Sequence, residues 1–149
     1  MQMDTDAQKA PWYLAGLAFQ CQGCGCCCAG PGVGYVWATE DEIAAIAQYL
    51  NITPRQMHKR YVRKVRRRYS LREDKRTRDC VFLCPDQGQG RRCAVYPVRP
   101  MQCRTWPFWP SNLRSPDAWA QVGIKCKGIN RGRLIPFDRI EAMANATRE

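Results

Sequence analysis

Five cysteines fall within eight residues of this chain, in the run CQGCGCCC that begins at Cys21 and ends at Cys28. Five more follow singly, at Cys80, Cys84, Cys93, Cys103 and Cys126. Ionised thiolates repel one another and exposed thiols oxidise readily, so a fold that gathers them normally places a metal ion or an iron–sulfur core at their centre. The cysteine pattern therefore predicts a metal-binding protein.

Disulfide bonds are the alternative use of ten cysteines, and they are typical of short secreted chains. The first ten residues carry Asp4, Asp6 and only Lys9, so they lack the basic start of a secretory signal. Adjacent cysteines also suit disulfide geometry poorly. No stretch approaches the roughly 20 apolar residues of a membrane span. We therefore expect reduced, metal-ligating cysteines in a soluble cytoplasmic protein.

Positive charge is concentrated in one segment. The formal net charge is +11, and residues 55–78 hold twelve Lys or Arg against Glu73 and Asp74. Thr53 followed by Pro54 is typical of a helix start, so we expect an amphipathic basic helix over residues 54–69. Such a helix favours an alternative function, in which a zinc-stabilised module binds nucleic acid or an acidic protein.

The remaining segments predict a small single α+β domain over residues 1–149, with few helices, a short antiparallel hairpin and much irregular structure around the metal centre. The expected elements are a loose tail over 1–11, an extended piece over 35–37, a helix capped by Thr39 and continuing to Leu50, a possible strand over 69–72, a hairpin of strands 79–83 and 93–96, a rigid irregular segment over 97–110, and a last helix over 136–147.

The spacing C-x2-C-x2-C places Cys21, Cys24 and Cys27 on one tight turn, where Gly23 and Gly25 free the backbone to curl. Zinc sites usually use two C-x2-C pairs, whereas this run has no second pair. A run of this kind with remote cysteines is closer to iron–sulfur ligation, so iron–sulfur is favoured and zinc is retained.

Neighbouring side chains of an extended chain point to opposite sides. Cys28 should therefore face away from Cys27. This arrangement indicates either two centres or one large centre held from two sides.

The chain resembles the YkgJ-type cysteine cluster family, which is named for a presumed zinc- or iron-chelating CxxCxxCC domain. The matching pieces, in order, are FQCQGCGCC, YVWATEDEI, DCVFL, RCAVYPVRPMQCRTWPFWP, Trp119 and KCKGI. The resemblance implies eight metal ligands: Cys21, Cys24, Cys27, Cys28, Cys80, Cys93, Cys103 and Cys126. Cys26 and Cys84 lie outside the family pattern. A similar motif occurs in flagellin lysine N-methylases, so a methylase-related subunit is a further alternative.

Other residues near the cysteines have supporting roles in this hypothesis. Arg99 and Arg104 flank Cys103 and would hydrogen-bond thiolate sulfur. Five aromatic residues would wall the centre or fill an ordinary core: Trp37, Trp106, Phe108, Trp109 and Trp119. The single histidine, His58, lies on the basic segment and offers no base for Ser/His or Cys/His catalysis, so an enzymatic role is not favoured.

Overall fold

Short strands and short helices occur in groups along the computed structural model, which describes residues 9–29, 34–85, 88 and 90–147. The helices are α1 (Glu40–Tyr49), α2 (Pro54–Tyr61), α3 (Met101–Thr105), α4 (Pro110–Leu113), α5 (Pro116–Lys125) and α6 (Phe137–Ala146). The strands are β1 (Leu17–Phe19), β2 (Val36–Ala38), β3 (Val62–Val65), β4 (Arg68–Leu71), β5 (Leu83–Cys84), β6 (Arg92–Cys93) and β7 (Ile129–Ile135). The predicted α+β class is confirmed, and most of the predicted tail, residues 1–8, lies outside the described residues.

The first core packs α1 and α2 against a three-stranded antiparallel sheet in the order β2-β4-β3. Leu71 of β4 pairs with Val36 on one side and with Val62 on the other. Capping boxes at Thr39 and Thr53 begin the two helices, as each threonine accepts the backbone N–H three residues on. The predicted starts of both helices and the extended piece at 35–37 are confirmed.

The predicted basic helix over 54–69 is wrong beyond Tyr61. The backbone becomes extended at Val62, turns back at Arg66, whose φ is 57°, and returns as β4. Valine favours strands, and its side chain here pairs across the sheet with Leu71, so tertiary pairing outweighs helical periodicity. The basic segment is therefore a short helix followed by a hairpin, and the strand expected over 69–72 is its second arm.

The hairpin expected from DCVFL and CAVY is present but shorter. Its pairs are Leu83 with Cys93 and Cys84 with Arg92, while Cys80 makes a single bridge to Glu73. Residues 86, 87 and 89 of its loop lie outside the described residues.

The irregular segment expected over 97–110 is instead partly helical. It contains a 3₁₀ turn at Tyr96–Val98, then α3 and the start of α4. Pro97, Pro100 and Pro110 stand at the beginnings of these turns, where proline's missing N–H costs no hydrogen bond. The rigid prolines therefore start helical turns rather than prevent them.

A second core joins the two ends of the described chain. The β1–β7 ribbon pairs Leu17 with Ile135, and the helix predicted over 136–147 is confirmed as α6. Its buried residues are Leu17, Phe108, Leu113, Trp119, Cys126, Ile129 and Ile140. Sequence reasoning missed α5 and the ribbon. None of the helices in the described ranges has the length and apolar character needed to cross a bilayer.

Candidate metal centre

A cavity of about 470 Å³ lies between the cysteine run, the β5–β6 hairpin and α3. Its walls include cysteines from four separate stretches of the chain. These are Cys21, Cys27, Cys28, Cys80, Cys93 and Cys103. The fold therefore brings six of the eight ligand candidates to one space, although they are up to 82 positions apart in the sequence.

The cysteine run is curled by two left-handed glycines. Gly23 and Gly25 have φ values of 65° and 69°, and a 3₁₀ turn follows at Cys26–Cys28. The Cys28 N–H donates to the Gly25 carbonyl at 3.1 Å. The Cys80 N–H donates to the Cys28 carbonyl at 2.7 Å, which joins the run to the next ligand segment.

The cavity thiols affect one another's ionisation. Burial, followed by the nearby thiols of Cys80, Cys27 and Cys93, raises the pKa of Cys103 to about 12. Burial also raises the pKa of Cys80 to about 11 and raises that of Cys93. These four thiols thus lie close enough to repel as anions, and without a cation they carry protons at neutral pH.

Cys27 and Cys28 are close neighbours within this group. Their Sγ atoms lie 3.9 Å apart, and the hydrogen bond between the two thiols raises the pKa of Cys27. Both residues line the same cavity, so Cys28 does not face away from Cys27 as expected from the sequence.

Cys24 and Cys126 lie outside the group of described residues that form the cavity wall. Burial alone would raise the pKa of Cys24, but hydrogen bonds from Cys26 and from the Lys127 backbone outweigh it and lower the pKa. Cys126 is buried in the second core. Phe19 at the end of β1 pairs with Ile129 of β7, and the Lys127 backbone hydrogen-bonds the Cys24 thiol, so Cys24 lies close to the segment that carries Cys126.

The two cysteines outside the family pattern take different positions. The Cys26 thiol lies 3.9 Å from Nη2 of Arg91 and contacts Cys24, whereas Cys84 is exposed on β5. Within the described part of the chain, no three His, Cys, Asp or Glu side chains form a ready-made metal-binding group. The cavity thus gathers thiols around a space, and the sulfur atoms do not meet at a point.

Arginine lies beside the cavity, as the sequence suggested, but not at both predicted positions. Arg99 lines the wall. Burial raises the pKa values of Cys93 and Cys103, and the positive charge of Arg99 offsets part of that rise. Its guanidinium is also held over the Tyr96 ring at 3.7 Å. Arg104 is exposed on α3 and is not part of the described wall, so its predicted role beside the cysteines has no support here.

Arg91 is a wall residue that sequence reasoning missed. Its position two residues before Cys93 is the sequence signal that could have identified it. Arg99 was selected from the sequence because it lies near Cys103 in the same way. With Arg92 and Arg99, which also line the cavity, it gives the described wall three arginines beside the thiols.

Two of the five aromatic residues wall the cavity. Trp106 and Trp109 line it with their rings edge to face at a centroid distance of 4.8 Å. Phe108 and Trp119 instead stack in the second core, and Trp37 stacks on Tyr35 at the edge of the three-stranded sheet. Aromatic and apolar side chains close part of the wall and limit the approach of water.

The donor chemistry fits a thiophilic centre. The described wall holds cysteine sulfur and no histidine, aspartate or glutamate. The single histidine, His58, lies on α2 and contacts Glu40 at 3.1 Å. Thiolate sulfur selects zinc and iron–sulfur cores over magnesium or calcium. A buried indole nitrogen, Nε1 of Trp106, has no hydrogen-bond acceptor among the described residues, and a sulfur-ligated group is an acceptor of the right kind.

Comparison with known proteins finds a matching family and distant relatives. The model of the CxxCxxCC family, described as "Putative zinc- or iron-chelating domain", matches residues 20–127. An uncharacterized protein of Methanocaldococcus jannaschii, MJ0661, is 35% identical over 96 residues, which is 64% of this chain and 48% of that protein. The chain thus spans about half the length of this curated relative. No solved structure matches the chain.

Proposed function

Since this chain belongs to the CxxCxxCC family, we propose that it holds a cysteine-ligated metal centre in the thiol cavity, with an iron–sulfur cluster favoured over zinc. The observation that carries the proposal is the cavity itself, which gathers six cysteines from four stretches of the chain. The central ligands are Cys27, Cys80, Cys93 and Cys103, whose thiols influence one another. Cys21 and Cys28 are the other two cysteines in the described wall.

The size of the cavity favours a cluster over a single ion. Zinc binds four sulfurs at about 2.3 Å and needs no space beyond its ligands. A cavity of about 470 Å³ has room for an inorganic core of several atoms between the thiols. The C-x2-C-x2-C spacing, of which Cys21 and Cys27 line the cavity, is also closer to iron–sulfur ligation than to zinc ligation. The centre then has a structural or a redox role in a compartment that keeps thiols reduced, such as the cytoplasm.

Anaerobic purification followed by elemental analysis and absorption spectroscopy tests the proposal. We expect bound metal, and for an iron–sulfur cluster a brown protein with a broad band near 400 nm, roughly where sulfur-to-iron charge transfer absorbs. A colourless, zinc-replete protein would keep the thiol centre and overturn the preference for iron. A wild-type protein that holds neither metal would overturn the proposed function.

A second function, binding of single-stranded nucleic acid, is favoured by the face of the three-stranded sheet that carries Tyr35 and Trp37. These rings stack at 4.7 Å, Arg63 lies over Tyr35 at 4.9 Å, and Arg68 lies over Trp37 at 3.9 Å. The sequence from 54 to 72 contributes nine Lys or Arg and no acidic residue. Bases stack on aromatic and guanidinium planes, and phosphates are attracted to such charge.

Binding of a labelled single-stranded RNA at several salt concentrations tests this second function. Reversing two charges at the hairpin turn, with Arg66→Glu and Arg67→Glu together, should weaken binding and reduce its salt dependence by roughly one to two phosphate contacts. The matched control reverses Lys75 and Arg76, which are also exposed but lie outside the sheet. Equal effects of the two double variants would show attraction to net charge alone, and stronger binding of polyglutamate than of RNA would assign the surface to an acidic protein.

A further inference from the structure

The indole N–H of Trp106 is a buried donor without an acceptor among the residues that the structure describes. Buried N–H groups in folded proteins are almost always paired, so an unpaired one requires an explanation. The same side chain forms part of the wall of the thiol cavity. The residue that carries this donor therefore lines the space that six cysteines surround.

Trp109 provides a natural comparison within the same wall. Its ring lies 4.8 Å from that of Trp106, centroid to centroid, and it also lines the cavity. Its indole N–H donates to the Gln102 carbonyl at 2.9 Å and is therefore satisfied within the protein. The two neighbouring rings thus differ in their indole N–H groups. That of Trp109 has an acceptor within the protein, whereas that of Trp106 has none among the described residues.

We propose that Trp106 donates its indole N–H to a sulfur atom of the bound centre, either a cysteine Sγ or an inorganic sulfide. This inference rests on the proposed function and adds a positioning residue to it. Thiolate and sulfide carry negative charge, so they accept a hydrogen bond from a neutral N–H strongly. Donors of this kind orient a metal centre and tune its affinity and potential.

The chain places Trp106 for this role by attaching it to a ligand-bearing element. It directly follows α3, which carries Cys103, and the backbone leaves the helix there with φ −55° and ψ 135°. The side chain also packs against the second core, which restricts its orientation. Cys103 and Trp106 therefore approach the cavity from one rigid segment.

The test compares Trp106→Phe with Trp109→Phe in anaerobically purified protein. Both changes keep an aromatic ring in the wall, and each removes one indole N–H. We expect Trp106→Phe to release its metal to a chelator about 10- to 100-fold more readily than the wild type, as is typical when an outer-shell donor is lost. Trp109→Phe should lower the melting temperature, because it removes the bond to Gln102, and should release metal much less readily than Trp106→Phe does, since its N–H already has an acceptor within the protein.

A second measurement uses the wild-type protein and so does not depend on the folding of a variant. In a ¹⁵N spectrum of the tryptophan indoles, addition of Zn²⁺ as the probe metal should shift one N–H resonance and slow its exchange with solvent. That resonance should be absent from Trp106→Phe, or from Trp106→Tyr if the phenylalanine variant does not fold.

The outcomes separate this inference from the proposed function. A metal-replete wild type whose Trp106→Phe variant retains metal as well as Trp109→Phe does would overturn the role of Trp106 alone. An indole spectrum that does not change on metal loading would do the same. A wild-type protein that binds no metal would overturn the proposed function and this role together.

Discussion

A cysteine in this cavity needs a cation before it can act as a ligand. Burial raises the pKa of Cys103 to about 12 and that of Cys80 to about 11. Each thiol therefore keeps its proton at neutral pH until a metal ion replaces that proton. The thiols of Cys80 and Cys103 are thus expected to be neutral when the site is empty and ionised only when metal is bound.

Metal binding should consequently release protons and strengthen as the pH rises. In the free protein the thiols of Cys80 and Cys103 stay protonated until the pH approaches 11 to 12, whereas in the loaded protein they are deprotonated. Affinity for Zn²⁺ should therefore increase steadily between pH 6 and 9. Calorimetry in two buffers of different ionisation enthalpy measures the number of protons released. Binding without proton release would show that these thiols are not ligands.

Serine substitutions should distinguish the central cysteines of the cavity from Cys84. Replacing Cys27, Cys80, Cys93 or Cys103 by serine removes a thiolate from the cavity, so each variant should lose most of its metal. Cys84→Ser is the matched control, because Cys84 lies on β5 outside the described cavity wall and bonds only weakly to the Phe82 carbonyl, at 3.9 Å. Elemental analysis of the purified variants measures the difference, and a metal-depleted Cys84→Ser protein would contradict the assignment.

Among the local elements, the curled cysteine run depends on two glycines with different surroundings. Both are left-handed, so alanine at either position costs about 1 kcal/mol or more in backbone strain. A Cβ at Gly23 would meet nothing within 4 Å, whereas one at Gly25 would lie 3.0 Å from Cβ of Arg91 and from Cδ1 of Leu83.

Gly25→Ala should therefore destabilise the protein more than Gly23→Ala and should also reduce metal retention, because it pushes the run away from the β5–β6 hairpin. Urea unfolding together with metal analysis measures both effects. Equal losses in the two variants would indicate that backbone strain alone matters and that contact with the hairpin does not position the run.

Local signals in the sequence predicted some elements well and others poorly. Thr39 and Thr53 begin helices because each satisfies a backbone N–H of its own first turn, an effect that needs no tertiary contact. The end of the second helix could not be predicted in this way. Val62 leaves the helix in order to pair with Leu71, and that pairing depends on the sheet that β2 completes.

Over the whole molecule, the cavity lies between the two cores. Cys80 and Cys93 pack against the first core, and Trp106 packs against the second. Ligands from the run, the hairpin and α3 would therefore join segments that otherwise have separate apolar interiors. A centre at this position would therefore stabilise the fold as a whole as well as the cysteine run.

Removal of the metal should accordingly lower the stability of the whole protein. A ligand present at 100 times its dissociation constant adds about 2.7 kcal/mol to the free energy of unfolding, and a tight structural metal adds more. Chelation should reduce the melting temperature seen by tryptophan fluorescence and by far-ultraviolet circular dichroism together. Unchanged unfolding after complete metal removal would show that the centre has no structural role.

The cysteine pattern alone indicated that thiols would come together, but not which cysteines would line the same cavity. The run and the single cysteines were identified as ligand candidates by the resemblance, whereas the common cavity depends on how β5–β6 and α3 fold against the run. The positions of Cys24 and Cys126 depend on the β1–β7 ribbon, which pairs residues more than 100 positions apart and leaves no local signal.

X-ray absorption at the metal edge of the anaerobically purified wild-type protein tests the central claim most directly. We expect a coordination shell of sulfur alone, at about 2.3 Å from the metal. For an iron–sulfur cluster we also expect a second shell from neighbouring iron. A shell made mainly of nitrogen or oxygen would contradict the account, because it would show that the metal is held by residues other than the cysteines of the cavity.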